Sequence, residues 1–83
     1  MKHTTLDEIT QIMDIMAAKK DETAALRNIV AEIRTRYSTM TDSQLAEAIR
    51  DVRGMQKAIE DNEAWLAKAE QKVRDFFKPA AVA

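Results

Sequence analysis

The stretch from Leu45 to Phe77 constrains this chain more than any other. It carries an unbroken heptad series, Leu45, Ala48, Val52, Met55, Ile59, Asn62, Leu66, Ala69, Val73 and Phe76, with steps alternating three and four residues throughout. That spacing keeps one stripe of a helix against a partner helix along its whole length. Such a seam must be buried, so the pattern speaks first about architecture.

The partner is in the same chain. Thr5-Leu6-Asp7-Glu8 reads as a capping box, with two acidic residues where a helix dipole favours negative charge. Behind it Ile9, Ile12, Met16, Lys19, Thr23, Leu26, Val30, Ile33 and Tyr37 repeat the same alternating steps. The polar run Lys19-Lys20-Asp21-Glu22-Thr23 interrupts this seam, and a break near Lys20-Asp21 would give a three-helix bundle instead. The run contains good helix formers and neither Gly nor Pro, so one continuous helix is the favoured reading.

The break falls at Ser38-Thr39-Met40-Thr41-Asp42-Ser43, where four of six residues carry hydroxyls that compete with the helix ladder. Thr41 with Gln44 makes a second capping box, and Met40 with Leu45 is placed as a hydrophobic staple. Pro79 marks the stop at the other end. The expected layout is a single helical domain over 1–83. Helix 1 runs over about 5–38, the turn over about 39–41, helix 2 over about 42–78, and a loose tail over 79–83. A loop this short between long helices makes them antiparallel neighbours. The fold class is therefore all-α, an antiparallel coiled-coil-like hairpin.

Two registers fit. One sets Ile9 opposite Phe76 and matches the two polar seam positions, Thr23 and Asn62. The other slides by a heptad and sets Ile33 opposite Leu45. The first is preferred because it overlaps both seams fully. Asn62 resembles the buried polar residue that fixes register in coiled coils. Lys19 is expected to lay its methylenes on the seam and keep its ammonium in water.

A hairpin buries one stripe per helix, and apolar residues are left beside the seam: Leu6, Met13, Ile15 and Ile29 on helix 1, and Ile49, Ala58, Trp65 and Phe77 on helix 2. Each large side chain left in water forgoes about 1.5–3 kcal/mol. Eighty-three residues make a marginal core. With no cysteine to staple it, association is the remaining route to stability. Closed two-fold dimers are the commonest assembly, so the expectation is a homodimer forming a four-helix bundle. Leu6, Met13, Ile15, Ile29, Ile49, Trp65 and Phe77 are its expected interface, with Trp65 foremost.

The composition supplies little chemistry. The lone histidine, His3, has no carboxylate or cysteine at ligand spacing, and adjacent pairs such as Asp7-Glu8 and Asp21-Glu22 diverge on a helix. No phosphate loop, nucleophile elbow or zinc motif occurs. No enzyme activity, metal or cofactor is expected. The amino terminus lacks a secretory leader and no run approaches the ~20 apolar residues of a membrane span, so a cytoplasmic setting without membrane contact is expected.

Charge gives one local signal. From Arg27 through Lys57 six basic residues (Arg27, Arg34, Arg36, Arg50, Arg53 and Lys57) face four acidic ones. That segment is +2, leaving −3 elsewhere in a chain of net charge −1. These side chains gather in the turn half of a hairpin and could contact an anionic partner. The segment Thr41-Asp42-Ser43-Gln44-Leu45-Ala46-Glu47-Ala48-Ile49 resembles the opening helix of a helix-turn-helix, where a leucine–alanine pair is common. That family needs a glycine-containing turn next, whereas Ile49-Arg50-Asp51-Val52 continues the heptad and Gly54 comes too late. The sequence thus points to a non-enzymatic protein that acts through itself and an unidentified protein partner, as an adaptor, modulator or inhibitor. A small nucleic-acid-associated regulator is the alternative.

Overall fold

A computed structural model describes residues 5–78, and the expected frayed start, His3 and the 79–83 tail lie outside them. Two helices, α1 (Leu6–Thr35) and α2 (Asp42–Phe77), are joined by a single 3-10 turn at Tyr37–Thr39. They form an antiparallel hairpin, a rod measuring 64 × 21 × 20 Å.

Local chemistry sets the ends. Thr5 caps α1, its Oγ1 accepting from the Glu8 amide at 3.2 Å. At α2 the box is complete: Thr41 Oγ1 accepts from the Gln44 amide, and Gln44 Oε1 accepts from the Thr41 amide at 3.1 Å. α1 ends at Thr35, three residues before the expected 38. There the chain tightens: the Arg36 amide donates to Ile33 O at 3.0 Å, and Thr39 and Met40 amides donate to Arg36 O and Tyr37 O. The Thr35 and Thr39 hydroxyls compete for backbone carbonyls in the same turn, donating to Glu32 O and Arg36 O.

Between Lys19 and Thr23 α1 runs without a break, so the three-helix alternative does not form. Nor does α2 turn after Ile49, which removes the helix-turn-helix likeness. Gly54 lies within α2 with a negative φ and open space where a Cβ would stand, so close packing does not require it.

Every seam residue from Ile9 to Tyr37 and from Leu45 to Phe76 is buried or half-buried. The buried core is Ile9, Val30, Ala48, Val52, Ile59, Leu66 and Ala69, with Thr23 and Asn62 as its polar members. Asn62 Nδ2 donates to Thr23 Oγ1 at 3.3 Å, which fixes the register that sets Ile9 opposite Phe76. The Thr23 hydroxyl donates to Lys19 O at 2.7 Å, and Asn62 reaches a second acceptor, Glu22 Oε1, at 3.2 Å. Both polar groups are thus satisfied inside the seam, and no buried side-chain nitrogen or oxygen is left without a partner among the described residues. A one-heptad slide would set Asn62 against Met16 and strand its amide, a cost of about 1–3 kcal/mol, while Thr23 would keep its bond to Lys19 O.

Candidate interaction surfaces

Two flanks border the seam. With Ile9 and Leu45 each at heptad position a, position e carries Leu6, Met13, Lys20, Arg27 and Arg34 on α1 and Ile49, Gln56, Glu63, Glu70 and Phe77 on α2. Position g carries Glu8, Ile15, Glu22, Ile29 and Arg36, then Gln44, Asp51, Ala58, Trp65 and Lys72. In an antiparallel pair e meets e on one side and g meets g on the other. The seven expected interface residues therefore do not share one face. Leu6, Met13, Ile49 and Phe77 belong to the e flank, and Ile15, Ile29 and Trp65 to the g flank. The seam pattern alone conceals this division, because residues on either side of a stripe look equally left over.

The e flank is already occupied along its middle. Arg27 Nη2 meets Glu63 Oε2 at 2.7 Å, and Lys20 Nζ approaches Glu70 at 3.9 Å. Arg34 shares the Arg27–Glu63 groove with Gln56 and Glu60. The charged groups of these pairs stand largely in water, so the pairs add specificity more than stability. Apolar surface on this flank is confined to its ends. At the terminal end Met13 lines a shallow pocket with Met16, Ala17, Lys20 and Val73. Leu6 and Phe77 are the most exposed large apolar residues described, at 62% and 58%. The Phe77 ring packs edge-on to Phe76, with centroids 5.0 Å apart.

On the g flank Ile15 and Ile29 stand either side of Glu22, Ala58 and Trp65 lie along α2, and charged residues take the ends. Ile15 and Ile29 are 45% and 41% exposed. Trp65 is half-buried and lines a shallow pocket with Ile12, Lys68, Ala69 and Lys72. Lys19 Nζ sits 5.4 Å from the Trp65 ring centroid. Its ammonium therefore leans on an aromatic face at the surface. Such a contact is worth about 0.5–1 kcal/mol at an exposed site. Nothing in the heptad alone announces this pair; only the Lys19 seam position and the solved register bring them together.

The six basic residues separate as well. Arg27 and Arg34 line the e flank, Arg36 closes α1, and Arg50, Arg53 and Lys57 run along the outer face of α2. All six stay in the turn half of the rod but take different sides of it, and three of them form a stripe. Glu32, one turn before Arg36, forms no ion pair with it among the described residues. Among those residues no group of three or more His, Cys, Asp or Glu could hold a metal ion, and no helix is long and apolar enough to cross a membrane. No protein-family model, curated protein or solved structure matches this chain.

Proposed function

We propose that this chain is a cytoplasmic, non-enzymatic interaction protein whose hairpin is half of a four-helix bundle, completed by a second copy. In that form it acts on a further protein as an adaptor, modulator or inhibitor. One observation carries the reading: six large apolar side chains, Leu6, Met13, Ile15, Ile29, Ile49 and Phe77, are each more than a third exposed on a rod only two helices thick. A second copy on one flank covers part of them, Ile15 and Ile29 on one side or Leu6, Met13, Ile49 and Phe77 on the other, for about 1.5–3 kcal/mol per side chain fully covered.

Co-expression of tagged and untagged chains tests the self-association. The untagged chain should co-elute through the tag, and Ile15→Lys/Ile29→Lys should abolish co-elution while leaving the helical spectrum intact. Failure of the wild-type chains to co-elute would overturn the proposal. The alternative, a nucleic-acid contact, draws on Arg50, Arg53 and Lys57, which share the outer face of α2 and make no ion pair among the described residues.

A further inference from the structure

We infer that the second copy docks on the g flank and runs antiparallel to the first, with the two turns at opposite ends. The inference rests on the dimer reading above and adds its face, its direction and its contacts. The juxtaposition behind it is a flank whose residue types are self-complementary about the Thr23–Asn62 layer.

Consider a two-fold axis perpendicular to the rod at that layer. It brings α1 against the partner's α1 and α2 against the partner's α2, each antiparallel. On α1, Ile15 and Ile29 lie seven residues either side of Glu22, so each isoleucine meets the other. Glu8 and Arg36 lie fourteen residues either side of Glu22, so opposite charges meet at the ends. On α2 the midpoint falls between Asp61 and Asn62. Trp65 then meets Ala58, large against small, and Lys72 meets Asp51, again opposite in sign. Both midpoints fall at the level where Asn62 donates to Thr23.

The competing arrangements match less well. A parallel dimer through the same flank stacks α1 on the partner's α2 and so forgoes the Ile15–Ile29 and Glu8–Arg36 matches. The e flank, rotated about its own centre, sets Arg27 against Met13, Arg34 against Leu6 and Lys20 against itself, while its Arg27 and Lys20 are already engaged within the chain. Size permits the g-flank dimer: one long face of a 64 × 21 Å outline offers on the order of 1,300 Å², above the roughly 800 Å² per partner of a standard interface. One like-charged meeting remains, Glu22 with its own copy on the axis, where Asn62 from each chain donates to it. That contact restrains affinity and makes Glu22 the diagnostic position.

The chain has no cysteine, so single replacements report cleanly. Sedimentation first establishes whether each variant is dimeric; a short bismaleimide then reports proximity. Glu22→Cys should cross-link to its own copy in high yield. Glu8→Cys should not, because its two copies would stand about 42 Å apart along α1. Mixed Ile15→Cys and Ile29→Cys chains should cross-link to each other and guard against a local effect of losing Glu22. A dimer in which position 22 and the 15–29 pair both fail to link, or in which position 8 links to itself, overturns the orientation and leaves the dimer reading standing. A monomer overturns both.

Discussion

The buried polar layer makes an asymmetric prediction. Asn62 is 7% exposed and spends its amide protons on Thr23 Oγ1 and Glu22 Oε1. Thr23→Val removes one acceptor and strands an amide proton inside the seam, which should cost about 1–3 kcal/mol. Asn62→Leu removes the donors instead. Thr23 keeps its bond to Lys19 O, Glu22 faces water, and nothing buried is orphaned. A leucine there gains about 1.5–3 kcal/mol of apolar burial. The two lost hydrogen bonds are worth about 1 kcal/mol each. The net should be neutral to about 1 kcal/mol stabilising. Chemical unfolding followed by circular dichroism at 222 nm, at one fixed protein concentration, separates the two effects. The double variant should recover most of the Thr23→Val loss. If Asn62→Leu destabilises as much as Thr23→Val, the account of this layer as a register device held at some cost in stability is wrong.

Gly54→Ala should raise stability by about 1 kcal/mol, since the added Cβ meets nothing within 4 Å and the helix gains propensity; a loss in the same unfolding assay would reveal a contact at that face. Thr41→Ala should cost about 1 kcal/mol by breaking the reciprocal cap of α2, again read from the unfolding midpoint. Titration of duplex and single-stranded nucleic acid at low salt in a mobility-shift assay should show no binding. A complex that weakens steeply with salt and is lost in Arg50→Ala/Arg53→Ala would instead establish the nucleic-acid alternative.

The seam was legible because its period is a direct consequence of helix geometry. The caps at Thr5 and Thr41 follow from side-chain reach, and the turn from its run of hydroxyls. The register was half legible: full overlap of both seams favoured it, but only the observed hydrogen bond between Asn62 and Thr23 decides against the slid pairing. The sorting of Met13 from Ile15, or Phe77 from Trp65, needed the register as well as the pattern, since a flank exists only between two helices. Contacts of long side chains were least legible. Glu22 accepting from Asn62 and Lys19 reaching Trp65 depend on rotamers that the heptad leaves open. The basic cluster was legible only as a place along the rod, its turn half, because neighbours on a helix such as Arg34 and Arg36 take different sides of it.

Sedimentation equilibrium over a range spanning low to high micromolar chain concentration addresses the central claim that one hairpin is half a bundle. A chain of 9.4 kDa should approach twice that mass as concentration rises, with a single monomer–dimer dissociation constant that Trp65→Ala increases. A constant mass of 9.4 kDa across the range would contradict it.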